Sequence, residues 1–208
     1  MKSLNEYEAE NFLEKNKFKI AKRFLAKNPE QAMNYSKKLG FPVALKIIGK
    51  NILHKSDIGG VFLDLQNESQ VKESFQKLKK IKNFKACLVQ KYIPGEYVLI
   101  GLKKDPSFGH VLVVGLGGIY TEIIKDVSFR VCPINKKDAL EMLKELKSYK
   151  LLTGIRGQKQ VNINKIVNII TKVSSLSKKY PKIKELDINP LVVNEKDAVI
   201  VDARIVFD

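Results

Sequence analysis

Several things are scarce in this chain of 208 residues, and each scarcity removes a class of explanation. Tryptophan is absent and there are two cysteines, Cys87 and Cys132, which lie in apolar strand-like runs without a metal-ligand spacing. That usage points to reduced structural thiols in a cytoplasmic protein, not to a disulfide scaffold or a zinc module. Histidine is equally rare, with only His54 and His110. No stretch approaches the roughly 18 uninterrupted apolar residues of a spanning helix. The opening MKSLNEYEAE is too acidic and too weakly apolar for a signal peptide. Arginine is the last shortage: Arg23, Arg130, Arg156 and Arg204 stand against 34 lysines.

What is present is a globular composition, 44% hydrophobic and 29% charged, with a formal charge of +16. The hydrophobic share excludes a mainly disordered chain, and the length allows one large domain or two small lobes. The charge suggests a polyanionic partner, so a basic nucleic-acid-binding protein is one hypothesis. Arginine is the residue suited to bidentate phosphate and base contacts, and its scarcity weakens that hypothesis. So does the spread of lysines along helical stretches such as Lys77, Lys79, Lys80 and Lys82, or Lys144, Lys147 and Lys150. These read as solvated faces, and aromatic stacking residues beside basic clusters are missing. Nucleic-acid binding is therefore disfavoured.

Helix and strand signals alternate. Ser3 with Glu6 predicts a capping box ahead of a helix carrying Leu4, Tyr7, Phe12 and Leu13. Asn28-Pro29 starts a second helix that should stop at Gly40. Asn67 opens a third to about Lys82, Asn135 a fourth through Tyr149, and Asn162 a fifth through Lys179. Strands are expected at 43–48, 60–65, 86–92, 97–102 and 110–116. A closing pair at 185–193 and 198–206 completes them. The Pro94-Gly95 pair after Tyr92-Ile93 is the expected boundary between two closely packed lobes of an α+β protein, α/β in the broad sense.

Four places could carry chemistry. Lys46 interrupts the apolar strand Val43–Ile48, so its ammonium either snorkels, pairs with a carboxylate or meets a phosphate. The loop His54-Lys55-Ser56-Asp57-Ile58-Gly59-Gly60 joins an imidazole to two glycines whose N–H groups could face phosphate oxygens. A hairpin turn with an incidental histidine is its plainer reading; the functional one makes His54 a phosphoryl acceptor. Gly115-Leu116-Gly117-Gly118, followed by Glu122, fails the GxGxxG spacing and so disfavours a dinucleotide fold. Near the C-terminus Asp187 and Asn189 are two apart on a strand, and Asp202 lies on the next. These hard oxygen donors suit Mg²⁺ bridging nucleotide phosphates, and polar residues on the solvent side of an edge strand are the alternative. Arg156, between glycines, is a weaker anion-binding candidate.

Together these segments resemble the nucleotide-binding β subunit of ADP-forming acyl-CoA synthetases, an ATP-grasp branch related to succinyl-CoA synthetase. The likeness runs the length of the chain. It is densest at 52–61, Asp105-Pro106-Ser107-Phe108-Gly109, 115–122, 125–130, 151–157, 185–191 and 201–205. It implies an ATP-grasp fold with two lobes clasping ATP, residues 21–93 forming the smaller and 1–20 plus 94–208 the larger. By motif match Lys46 contacts ATP phosphates, Gly59 and Gly60 cover them, and Lys55 faces the nucleotide. Gln90, Lys91 and Tyr92 lie at the adenine-side hinge and Glu96 near the ribose. Asn189 and Asp202 hold Mg²⁺ with Asp187 beside them, and Glu122 and Arg156 surround the transferred phosphoryl.

The chemistry so implied is acyl-CoA + ADP + phosphate ⇌ carboxylic acid + CoA + ATP, with His54 a transient phosphoryl carrier. The family's CoA-binding domain and primary phosphohistidine have no counterpart in these residues, and His110 matches no such motif. A separately encoded CoA-binding α subunit in an α2β2-type heteromer is therefore expected, with no membrane involvement. One departure stands out: where Arg-Asp-Pro is expected the chain reads Lys104-Asp105-Pro106, and lysine lacks the planar fork. A stand-alone ATP-grasp ligase with another acceptor is the alternative within the same fold.

Overall fold

The computed structural model describes residues 2–49, 52, 55–117, 126–154 and 159–208. The chain divides into two compact units, Ala21–Ile93 and Met1–Ile20 with Pro94–Asp208.

In the unit 21–93, strands β2 (Arg23–Ala26), β3 (Val43–Gly49), β4 (Val61–Leu65) and β5 (Phe84–Lys91) form an antiparallel sheet in the order β2-β5-β3-β4. Helix α2 (Pro29–Leu39) starts where the Asn28 side chain accepts the Gln31 N–H, and ends at Gly40 with φ +73°. Helix α3 (Glu68–Lys79) starts likewise, Asn67 accepting from Gln70 at 3.0 Å. It ends three residues before the expected Lys82, because Lys80 and Ile81 turn their N–H groups to the carbonyls three residues back. Val43, Leu45 and Ile47 alternate into the core with Cys87 and Val89, against Ala32, Val71, Phe75 and Leu78 of the helices. Ala44, Lys46 and Gln90 consequently occupy the other face of the sheet.

In the larger unit, β1 (Lys2–Leu4) pairs with β11 (Ala203–Phe207), so the two ends of the chain share one sheet. The order is β1-β11-β9-β6-β7-β8, with β6 (Glu96–Asp105), β7 (Gly109–Leu116), β8 (Val127–Val131), β9 (Ile183–Val193) and β10 (Ala198–Ile200), the last pairing with β9 off the main path. Helices α1 (Glu6–Lys15), α4 (Lys136–Glu145), α5 (Tyr149–Thr153) and α6 (Ile163–Lys179) complete the described elements. Val98, Ile100, Leu102, Leu186 and Ile188 of the sheet are buried with Leu13, Met142, Ile166 and Ile170 of the helices.

The capping box stands two residues later than expected. Asn5 accepts from the Glu8 N–H at 3.0 Å and Glu8 accepts from the Asn5 N–H at 2.9 Å, while Ser3 is extended in β1. The fourth expected helix is two: Leu146 turns extended (φ −67°, ψ 130°), and Asp126 takes the next two N–H groups. The strand expected at 198–206 is broken at Val201-Asp202. Both cysteines are free, as expected, and the seven lysines read as solvated are all exposed. No helix among the described residues is long and apolar enough to cross a membrane.

Candidate functional site

Lys46 stands in the middle of β3, paired with Leu88 of β5 and Val61 of β4. Its residue is only 5% exposed, which excludes snorkelling. Gln90 of β5, 1% exposed, lies opposite Ala44 on that same face, two positions along β3 from Lys46. Lys46 and Gln90 thus set a buried ammonium and a buried amide diagonally on the face of the sheet opposite α2 and α3, chemistry that suits an anionic, hydrogen-bonding ligand.

The glycines of the neighbouring loop have clear physical work. Gly59 adopts φ +67°, and a Cβ on Gly60 would stand 2.5 Å from Ile47 Cγ2 and 2.8 Å from the Lys55 carbonyl. Gly59 donates its N–H to the Ser56 carbonyl at 3.1 Å, and Gly60 to that of Lys55 at 2.7 Å. The expectation that these N–H groups face phosphate is corrected on this point: both are spent inside the turn. The Gly60 carbonyl accepts from Ile47, which ties the loop to the strand of Lys46. Lys55, half-buried, opens this turn.

Lys91 ends β5 on the opposite side from Gln90. Its ammonium donates to the carbonyls of Gly40 at 2.8 Å and Phe41 at 3.0 Å, beyond the end of α2. Tyr92 follows, half-buried, with its N–H on Pro42. In the other unit Glu96 begins β6, half-buried and paired with Val193 of β9.

The oxygen-rich group sits on β9. Leu186 and Ile188 point into the core, so Asp187 between them leaves by the other face, level with Arg204 of β11 and Gly101 of β6. Leu99 of β6 then faces two residues of β9, Asn189 and Pro190, in a bulge. The Asn189 N–H donates to the Asp202 carbonyl at 3.3 Å, so Asn189 stands opposite Asp202, which occupies the break between β10 and β11 and not a strand.

Burial first, then the charges of Asp202 and Glu185, push the Asp187 carboxyl from 3.8 up to about 6, against the pull of Arg204. Two carboxylates that disfavour each other in a half-buried place are what a divalent cation relieves. Among the described residues no three His, Cys, Asp or Glu side chains gather at ligand spacing. Two carboxylates and an amide oxygen are nevertheless hard donors of the kind that would suit Mg²⁺.

His54, Glu122 and Arg156 lie outside the described residues. Asp126, which sequence reasoning passed over, accepts the N–H groups of Lys147 at 3.0 Å and Ser148 at 2.7 Å. Its partial burial opposes the charge, yet these hydrogen bonds hold its carboxyl below the usual range. No local signal marked it, because the N–H groups it accepts lie about twenty residues later. Lys104, standing where arginine was expected, makes an exposed ion pair with Asp208 at 2.7 Å. His110 has a structural partner, its Nε2 lying 2.7 Å from the Ile183 carbonyl oxygen.

Comparison with known proteins adds to this geometry. The sequence matches the ATP-grasp domain family over residues 1–207. It is 44% identical to the acetate–CoA ligase (ADP-forming) I subunit beta of Pyrococcus furiosus, over 88% of this chain and 82% of that one. It is 41% identical to acetate–CoA ligase (ADP-forming) II of Archaeoglobus fulgidus, covering 98% of this chain but 30% of that protein. Among solved structures, dinucleotide-forming acetyl-coenzyme A synthetase 1 of Ca. Korarchaeum cryptofilum superposes with a TM-score of 0.87 at 39% identity, over 100% of this chain and 93% of that one. That protein was solved with coenzyme A and Mg-AMPPCP, its phosphohistidine segment pointing towards the nucleotide binding site.

Proposed function

The chain belongs to the ATP-grasp family, in the branch of the ADP-forming acetate–CoA ligase β subunits, and from that premise we propose that it is the nucleotide-binding subunit of an ADP-forming acyl-CoA synthetase. The reaction is acyl-CoA + ADP + phosphate ⇌ carboxylic acid + CoA + ATP. The observation that carries this is the 44% identity to a ligase β subunit along 88% of the chain. Coenzyme A is bound by a separate α partner in a heteromer of α2β2 type. The chain spans about 30% of the Archaeoglobus relative, as expected where both parts are fused in one polypeptide.

In the ATP-forming direction the partner hands a phosphoryl group to His54. A β-phosphate oxygen of ADP then attacks that phosphorus, the P–N bond breaks, and the imidazole takes up a proton. Lys46 neutralises phosphate charge from the small sheet, while Gln90 and Tyr92 flank the base and Glu96 the ribose. Asp187, Asn189 and Asp202 would hold Mg²⁺, which when bound neutralises the phosphate oxygens. Arg156 and Glu122 act around the transferred group. Phosphoryl transfer depends mainly on positioning and charge compensation, which this set supplies.

Thermal unfolding with and without Mg·ATP tests the nucleotide role. Nucleotide at 100 times its Kd stabilises a fold by about 2.7 kcal/mol, which for a chain of this size raises Tm by roughly 5–10 °C. No shift at saturating Mg·ATP removes the nucleotide role.

A further inference from the structure

We infer that Lys91 is a positioning residue: it sets nucleotide affinity by holding the end of β5, and its ammonium does not touch the nucleotide. Val43 lies opposite Lys91 across the ladder, and Val43 faces the helices. Lys91 therefore leaves the sheet on the helix side, while Gln90 and Lys46 leave it on the other.

The contacts on the helix side are specific. Gly40 closes α2 with φ +73°, and the carbonyls of Gly40 and Phe41 lie past the last helical hydrogen bond. Such carbonyls need donors, and the negative end of the helix dipole favours a cation. Lys91 supplies both, with two of its three ammonium hydrogens at 2.8 and 3.0 Å. The backbone adds two further ties, Lys91 N–H to the Lys22 carbonyl at 2.8 Å and Tyr92 N–H to that of Pro42 at 3.2 Å. Four hydrogen bonds thus converge on residues 91–92, immediately before the chain leaves this unit after Ile93. The path of Gln90 and Tyr92 is fixed by a lysine whose partners lie about fifty residues earlier.

This rests on the assignment of Gln90 and Tyr92 to the base-binding side, and it deepens that assignment. The test is calorimetric binding of Mg·ATP, Mg·ADP and AMP to the full chain carrying Lys91→Met, Lys91→Gln, Lys91→Arg or Gln90→Ala. Lost charge-assisted hydrogen bonds are worth about tenfold, so Lys91→Met should raise all three Kd values by about that one factor. Lys91→Gln, which keeps a donor for one carbonyl, should fall between Lys91→Met and the wild type. Lys91→Arg, which can reach both carbonyls, should bind nearly as well as the wild type. With the partner present, kcat at saturating nucleotide should stay within about twofold, a split that general destabilisation would not give.

A penalty that grows with the number of phosphates means direct contact and overturns the inference. Affinity unchanged in Lys91→Met but weakened in Gln90→Ala also overturns it, while leaving the base-side assignment intact. Affinity unchanged in both variants removes the assignment itself. If Lys91→Met does not fold, Lys91→Gln and Lys91→Arg still decide between the outcomes.

Discussion

Replacing Asp187 by Asn should make the metal-free protein more stable, not less. The folded chain holds this carboxyl at about 6, against 3.8 for the unfolded side chain, because it is buried and faces the charges of Asp202 and Glu185. A carboxyl raised on folding is no burden when protonated in both states, below about pH 3; its cost builds as pH rises from about 4 to 6 and is nearly complete above that. At about 1.4 kcal/mol per pKa step, the ionised group weakens the fold by about 3 kcal/mol at pH 7. Asp187→Asn keeps the shape and removes the charge. Urea unfolding of wild type and variant in EDTA, from pH 3 to 8, should show stabilities that nearly coincide at pH 3 and separate by up to about 3 kcal/mol at pH 7. Other titrating groups largely cancel in the difference. Added Mg·ATP should stabilise the wild type more than the variant and close the gap. A gap that does not vary with pH, or a variant less stable than wild type at pH 7, would refute the electrostatic account of this site.

Lys46→Met keeps an unbranched side chain, one heavy atom shorter, and removes its charge; calorimetry should show Kd for Mg·ADP raised by about 10- to 100-fold, the worth of a charge-assisted phosphate contact. The two neighbouring glycines should both resist alanine, for different reasons. Gly60→Ala places a Cβ 2.5 Å from Ile47 and 2.8 Å from a backbone carbonyl, for a loss of about 1–3 kcal/mol in urea unfolding. Gly59→Ala meets open space but keeps φ at +67°, for a loss of about 1–2 kcal/mol. No loss of stability on the Gly60 change would mean that the turn is looser than described.

Helix starts were legible because their physics is local. Asn28, Asn67, Asn135 and Asn162 each accept an N–H no more than three residues away, so cap and partner appear together in sequence. Strands that exist through a distant partner were not legible. Lys2 pairs with Phe207, Arg23 with Gln90, and Val131 with Val111; none of β1, β2 and β8 shows an alternation long enough to stand alone. The misplaced capping box has the same origin, since pairing with β11 extends Ser3 and moves the cap to Asn5. Among site residues, the misfit of Lys46 in an apolar strand was visible, and the structure buries it. The strain on Asp187 was not, because it arises from burial in the finished sheet and then from Asp202, which stands between β10 and β11. Nor was the task of Lys91, whose acceptors are carbonyls of a helix end fifty residues away. Family likeness supplied what local patterns could not, by naming roles for residues that the fold distributes over two units.

The most direct measurement is nucleotide formation by purified components. This chain, an α partner co-expressed with it, and both together are each supplied with acetyl-CoA, Mg·ADP and phosphate, and ATP is followed. Only the mixture should form ATP, in step with CoA release, and His54→Ala in this chain should abolish it. ATP formation that survives His54→Ala, or turnover by this chain alone with an amine or carboxylate acceptor, would contradict its place as the nucleotide-binding half of a two-subunit acyl-CoA synthetase.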